Sequence, residues 1–400
     1  MERSLDVVKE IMLYFARATG LEGGGPSRRY LWTDAFAVCN YLELYRQTGE
    51  QRWRELAMRL IDEVHHVLGR HRPDSDRSGW IGGMSEEEGE HHPTRGGLRI
   101  GKALNERKPD EFPDERLEWE RDGQYYHYLT KWMHALTCAN RITGEIDPLR
   151  WAVELAQSAH SAFSYQPVTE EGKRLYWKMS IDLSRPEALS MGQHDPLDGL
   201  VTCCELKAAT ASSDVGLPPL TGEIQDLREM CRGRDWDTDD TLGVGSLLSD
   251  AYRMVQLTAE GAFDDLHLLE EVLESARFGL NAINSEGQFD ISARFRLAFR
   301  ELGLSIGLKG ILPMADLAEE KAALFGSRYP AIRERLELLK GYLPMADRIE
   351  RFWLDPLNQE TGTWNDHREI SMVMLATSLA PQVFLSLRNR VGKVEARQEE

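Results

Sequence analysis

The sequence predicts an all-α protein, an (α/α)6 toroid of six helical hairpins with long loops over one mouth. Three observations lead there. Apolar residues recur with the helical period along most of the 400 residues, and no comparable alternating run marks a strand. A helix–turn–helix unit repeats: Thr-Gly-Glu at 48–50 and 143–145 is followed each time by a helix holding Glu-Leu-Ala, at 55–57 and 154–156, with a looser Thr-Ala-Glu-Gly at 258–261. The periodic segments also sort into two interleaved series of six.

In chain order, an amphipathic segment at 5–18 precedes an apolar one at 30–46. The turn at 48–50 leads into 51–69, where Trp53, Leu56, Ala57, Leu60, Ile61, Val64 and Leu68 mark one buried face. The alternation continues through 119–140 (Tyr125, Leu129, Trp132, Leu136, Ala139), 148–163, 191–209 and 222–232. It ends with 238–257 (Leu248, Ala251, Val255), 263–282, 290–308, 315–350 and 364–386. Glycine stops the first helix of each hairpin and the second runs back antiparallel. One hairpin cannot bury its apolar face alone, so the copies must close on one another, with the apolar series lining the centre. We expect one domain over 1–400. Long connections at 70–118, 164–190 and 210–221 precede inner segments, and 70–118 reads as a lid insertion. The pentapeptide Leu-Pro-Met-Ala-Asp recurs at 312–316 and 343–347.

Composition removes several function classes. Lys plus Arg is 48 and Asp plus Glu is 66, a net charge of −18. A nucleic-acid binder or a protein docked on anionic lipid needs a cationic face, so neither partner is expected. The five cysteines lack CxxC spacing, which signals neither disulfides nor zinc. The first ten residues hold no apolar signal core, and the longest uncharged stretch, 371–387, is broken by Pro381 and Gln382. The expectation is a cytoplasmic protein. The sequence leaves its oligomeric state open.

In a toroid the inner helices run parallel, so their electropositive N-termini gather at one mouth. The residues at these entrances are unusual. They read Arg28-Arg29-Tyr30-Leu31-Trp32-Thr33-Asp34, then Glu118-Trp119-Glu120-Arg121-Asp122-Gly123-Gln124-Tyr125, then Gln193-His194-Asp195. Further on come Asp235-Trp236-Asp237-Thr238-Asp239-Asp240 and Trp364-Asn365-Asp366-His367-Arg368-Glu369. Capping explains an Asp or a Thr at a helix start. It does not explain Trp, His and Arg beside it at several entrances. Aromatic plates with carboxylates and amides suit a polyhydroxylated ligand, whose C–H faces stack while its hydroxyls take hydrogen bonds. The expected binding set is Arg29, Trp32, Asp34, Trp119, Gln124, Tyr125, Asp195, Trp236, Arg294 and Trp364.

The helix–Thr-Gly-Glu–helix repeats and Trp-Thr-Asp at 32–34 resemble the six-hairpin glycosidase-like superfamily. The resemblance implies an (α/α)6 barrel acting on a small-molecule sugar or oligosaccharide. Its relatives include inverting glycoside hydrolases, unsaturated-uronide hydrolases and the acylglucosamine and cellobiose 2-epimerases. An inverting hydrolase needs a protonated carboxyl and an ionised one across the bond. Glu120 or Asp122 on one side and Asp240 or Asp366 on the other are the candidates. An epimerase needs two acid/base groups near neutral pKa, for which His194 and His367 are placed at two entrances. In the epimerases two such histidines form the acid/base pair.

Asp237-Thr238-Asp239-Asp240 resembles the acid motif of class II terpene cyclases, which implies that Asp239 would protonate an alkene. A third class is a non-catalytic helical scaffold, with entrance residues paired among themselves. The run 235–240 lacks the glycine and terminal Glu of a calcium loop, so no metal is expected, and no motif calls for a cofactor.

Overall fold

The computed structural model describes residues 2–112, 114–168, 172–188, 190–211, 213 and 216–388. Position 113 of the expected lid, 169–171 and 189 of the connection 164–190, 212 and 214–215 of the connection 210–221, and positions 1 and 389–400 of the expected domain lie outside the described residues. Gly49 and Gly144 end their helices in the left-handed region, φ 72° and 77°. Each Thr-Gly-Glu turn therefore reverses the chain, as its sequence suggests.

The principal helices are α1 (Glu2–Ala18), α2 (Leu31–Thr48), α3 (Gln51–Leu68), α4 (Tyr126–Thr143) and α5 (Asp147–Phe163). Next come α6 (Asp195–Ala211), α7 (Thr221–Cys231), α8 (Thr241–Ala259), α9 (Leu266–Ser285) and α10 (Ala298–Lys309). The last are α11 (Ile311–Glu320), α12 (Tyr329–Lys340), α13 (Pro344–Leu354), α14 (Arg368–Leu379) and α15 (Gln382–Leu385).

Six of these close a ring: α2 touches α4, then α6, α8, α10 and α14 follow, and α14 returns to α2. Every residue of α2 from Leu31 to Leu44 is buried, as a helix enclosed on all sides must be. The outer helices bury one stripe. In α3 that stripe is Trp53, Leu56, Ala57, Leu60, Ile61, Val64, His65 and Leu68, the periodic set plus one histidine. Outward of the ring, α3 covers α2, α5 covers α4, α7 covers α6, α9 covers α8, α13 covers α10 and α1 covers α14. The chain's first helix thus completes its last hairpin. The fold is an (α/α)6 toroid.

Three details differ from the sequence reading. The expected outer segment 315–350 is three helices, α11 to α13. Pro344 opens α13 and Pro313 lies in the first turn of α11, so both Leu-Pro-Met-Ala-Asp copies mark helix starts. Proline is tolerated there because the first-turn N–H has no helical acceptor. Short strands, invisible to periodicity, pair Gln124–Tyr125 with Lys178–Met179, which pairs with Pro186–Ala188. Finally, part of the expected lid is a fixed wall. Leu31 N donates to Ile100 O (3.0 Å), Ile100 N to Gly123 O (2.8 Å) and Arg99 N to Leu68 O (3.0 Å), which stitches 99–100 to the mouth.

The opposite end of the ring is sealed by α15 and its flanks. Val383 N donates to Glu43 (3.0 Å), Gln256 Nε2 donates to Leu385 O (2.9 Å), and Leu387 N donates to Gln256 Oε1 (2.7 Å). Among the described residues no helix is long and apolar enough to cross a membrane.

Candidate functional site

The N-terminal ends of α2, α4, α8, α10 and α14 surround a cavity of about 770 Å³, with 101–103, Trp119, Glu120 and Trp177 completing its wall. Its aromatic side is one connected cluster. Trp177 stacks on Tyr125 (4.8 Å between ring centres, 30°) and meets Trp119 edge to face (4.7 Å). Tyr125 lies nearly parallel to His127 at 5.4 Å, and Trp32 tilts against Tyr128 at 5.2 Å. Tyr30 and Tyr128 share a hydroxyl hydrogen bond of 2.8 Å. Trp119 is 57% exposed at the rim.

The cavity also carries charge. Asp34 is buried on the first turn of α2, 3.5 Å from Arg29, and accepts from Tyr30 N at 2.8 Å. Burial pushes its carboxyl up to about 6, against the pull of Arg29. Glu120 and Asp366 are exposed lining groups. Arg28 pairs with Glu369 (3.1 Å), and Arg300 with Asp240 (2.9 Å). Lys102 donates to Trp119 O and sits over the face of Tyr125, 5.2 Å away. Burial, helped by the nearby Lys178, lowers its ammonium to about 8.

Two imidazoles line the cavity. His367 stands at the N-cap of α14, edge on to Phe299 at 5.3 Å. His127 lies deeper, on the first turn of α4. Its buried Nδ1 has no hydrogen-bond partner and lies 3.7 Å from Asp195 Oδ1. Burial among rings drives this histidine down to about 4. Asp195 is buried at the start of α6 with Oδ2 also unpartnered. Burial, then the charge of Asp198, raises its carboxyl to about 7.

Of the residues singled out from sequence, Glu120, Asp366, His367, Arg29, Trp32, Asp34, Trp119 and Tyr125 are brought together around the cavity. The others are not among its lining. Asp122 is fully buried behind the wall, held by Arg99 (2.9 Å), Arg72 (3.3 Å) and Gly101 N (2.9 Å). Gln124 pins the same wall through Leu98 N (2.8 Å), Gly96 O (3.0 Å) and Ile181 O (2.6 Å). His194 Nε2 is bonded to Trp236 O at 3.1 Å, and Trp236 is buried away from the mouth. Trp364 stacks on Trp353 in the core. Arg294 is exposed over Phe295, 4.5 Å from its ring.

Asp240 caps α8 through Gly243 N (3.0 Å) and reaches the cavity only by holding Arg300. Asp239 is exposed outside it. An alkene-protonating acid would have to face an enclosed apolar chamber, and Asp239 is not among the residues lining this cavity. Asp195 lies beneath the floor, reaching the cavity through His127. Among the described residues no three His, Cys, Asp or Glu side chains gather as a metal site.

His127, Tyr128, Lys102, Trp177 and Arg300 are cavity residues that the sequence reading did not single out. A signal existed for the first. His127, Lys131 and His134 follow i, i+4, i+7 along α4, a polar stripe on a helix otherwise buried in the ring. On an inner helix such a stripe faces the axis.

No protein-family model matches the chain, and no curated protein matches it in sequence. Solved structures with a similar course exist. A GH76 alpha-mannanase from Bacteroides thetaiotaomicron aligns at 11% identity over 88% of this chain and 97% of that one, with a TM-score of 0.48. The cellobiose 2-epimerase from Spirochaeta thermophila aligns at 13% identity over 90% and 89%, with a TM-score of 0.47. A sugar epimerase from a ruminal bacterium aligns at 10% identity over 88% and 87%, with a TM-score of 0.43.

Proposed function

We propose that this protein is a carbohydrate-active enzyme that binds a sugar unit in the mouth cavity and acts on it by acid/base chemistry. One observation carries the reading: a cavity of about 770 Å³ sets the Trp119–Trp177–Tyr125 aromatic face beside the carboxyls of Asp34, Glu120 and Asp366 and the imidazoles of His127 and His367. The volume lies within the usual range for small-molecule sites. Rings offer faces to the C–H surface of a sugar, and the charged rim offers bidentate partners to its hydroxyls.

Hydrolysis by two carboxyls is the first reaction we infer. Glu120 precedes α4 and Asp366 precedes α14, the two ring helices that flank α2, and both are exposed in the cavity lining. A second reading, sugar epimerisation, gains from the two histidines in the lining, with His127 in place of the expected His194. The cavity rim is ionic, which supports either sugar reaction over carbocation chemistry.

The test is a panel of glycosides and reducing disaccharides, read by chromatography for released sugar and for the 2-epimer. For a hydrolase, Glu120→Gln and Asp366→Asn each lower kcat about 100-fold or more while sugar binding persists. For an epimerase, His367→Gln has that effect and the carboxylate variants do not. A chain that neither binds nor alters any member of the panel refutes the reading.

A further inference from the structure

Beneath the cavity, two polar atoms that ought to be satisfied are not. His127 Nδ1 and Asp195 Oδ2 are buried without hydrogen-bond partners, while Nδ1 and Asp195 Oδ1 face each other at 3.7 Å. Buried orphans of this kind are rare and cost free energy. Four rings hold the histidine: Tyr125 and Trp177 lie parallel to it, Tyr128 and Trp32 edge on. Its side chain keeps 27% exposure although Nδ1 is sealed, so the accessible edge is the one lining the cavity.

We propose that His127 and Asp195 form a two-residue proton store whose open end, His127 Nε2, faces the bound substrate. In the ready state Asp195 is ionised and accepts from Nδ1–H, leaving a lone pair on Nε2. A hydroxyl in the cavity then gives up its proton: the O–H bond breaks, Nε2–H forms, and the electron pair stays on oxygen. The Nδ1 proton passes to Asp195 Oδ1. The products are a neutral imidazole with Nε2–H and a neutral carboxylic acid, so no charge remains in the buried pair. His127 is the catalytic residue and Asp195 a positioning residue that sets its tautomer.

The surroundings favour this order. Facing the pair from α4 are Lys131 and the phenol of Tyr128. From α6 comes Asp198, from the wall Lys102, from the adjoining strand the phenol of Tyr125, from α4 also the phenol of Tyr126, and from α2 only the indole of Trp32. The Gly192 backbone, Lys131 and Arg234 pull Asp195 toward its ionised form, but less than burial and Asp198 push it the other way. Asp198 is already held by Lys131 (2.8 Å) and Thr130 (2.6 Å), so its charge stays and opposes ionisation of Asp195, one turn away. Burial penalises the imidazolium, and burial plus Asp198 penalises the carboxylate. The acid that results is the carboxyl rather than the imidazolium, the reverse of a hydrolytic triad.

The pair rests on the sugar reading for the identity of the hydroxyl, not for its geometry, and the test separates the two. The full chain, labelled with ¹⁵N-histidine, is titrated by NMR from pH 4 to 9, with His127 assigned from His127→Gln, or from His127→Asn should the first fail to fold. We expect His127 to stay neutral above about pH 5 and its two nitrogen shifts to exchange character with a midpoint near pH 7. Asp195→Asn abolishes that exchange. A His127 that titrates as an ordinary imidazolium near pH 6.5, or an exchange that survives Asp195→Asn, overturns the proposal.

With a sugar substrate in hand, His127→Gln lowers kcat about 100-fold and changes sugar affinity less than threefold. Asp195→Asn removes the rise of the rate through pH 7. Tautomer exchange without any sugar binding sinks the sugar reading and leaves the pair. Undiminished turnover in His127→Gln sinks the pair's catalytic role and leaves the sugar reading.

Discussion

Asp195 and Glu205 are buried carboxyls on the same helix, about 15 Å apart along its axis. They behave oppositely. Asp195, at the mouth, has an unpartnered oxygen and is pushed toward its neutral form. Glu205, near the sealed end, is held by His134 (2.9 Å), Arg253 (2.6 Å) and Arg141 (3.5 Å), and these cations outweigh burial and drive its carboxyl far below the usual range. Against the effect of burial, Cys138 and then Glu205 raise His134, whose Nε2 also donates to Phe384 O at 2.8 Å, to about 9. Burial is common to both sites. What differs is whether neighbours satisfy the charge. Near the sealed end cations take up both oxygens of Glu205; beneath the mouth one oxygen of Asp195 is left without a partner.

The largest expected effect comes from breaking the satisfied end. Glu205→Ala takes from the buried Arg253 and His134 the carboxylate they share, leaving Arg253 with Asp250 and Thr202 and His134 with Phe384 O, and should destabilise the fold by about 3–5 kcal/mol in urea unfolding. Its pH dependence has two arms. Glu205 is depressed, so its contribution is present above about pH 4.3 and fades as pH falls toward its folded value. His134 is raised, so its contribution is complete below about pH 6.5 and is lost as pH rises through about 9. A Glu205→Ala protein as stable as the parent at pH 6 would remove the contrast between the two ends.

The ring itself was legible because helix periodicity and the Thr-Gly-Glu turns are local signals, and each turn places its glycine where φ is positive. The mouth was legible in part. Trp32 and Asp34 sit on the first turn of an inner helix, where position alone aims them at the cavity. The stretch 119–125 was not resolvable residue by residue. A helical turn ends at Trp119–Glu120 and the chain then crosses a bridge at Arg121 into the strand at 124–125, so Trp119, Glu120 and Tyr125 line the cavity while Asp122 and Gln124 turn into the wall. Their chemistry gives no hint of that. Trp236 and Asp239 precede α8 at the outer edge of the ring, where a tryptophan is core and an aspartate is solvated. His127 was missed because the apolar period of α4 drew attention to its neighbours, though the polar stripe through Lys131 and His134 marked the axis-facing side.

A smaller effect tests the unsatisfied end. Because the folded carboxyl of Asp195 is raised to about 7, the native state holds its proton longer than the unfolded chain does. Stability contributed by this group therefore falls as pH rises from about 4 to about 7, and stays low above that. Asp195→Asn removes the penalty. The variant should match the parent near pH 4 and exceed it by about 1–3 kcal/mol at pH 8, measured by urea unfolding at both values. This is the opposite sign to Glu205→Ala from a residue on the same helix. A variant less stable than the parent at pH 8 would mean that Asp195 is satisfied like Glu205, and the mouth would lose its distinction.

The smallest effect concerns the aromatic face. Trp177 sits between Tyr125 and Trp119, on the loop side of the mouth rather than on a ring helix, and it is only partly buried. Removing it should leave α2 and α4 in place, since the ring is held by the helices and by the wall at 99–100. Trp177→Ala should therefore weaken sugar binding about tenfold, near 1.4 kcal/mol, as followed by calorimetry. A fold-wide role would show instead as a lower melting temperature with affinity per folded molecule unchanged. That outcome would make Trp177 a packing residue like Trp364, and would move the binding face from the strand-borne cluster to the Trp32 and Tyr128 side, where the rings already belong to the toroid.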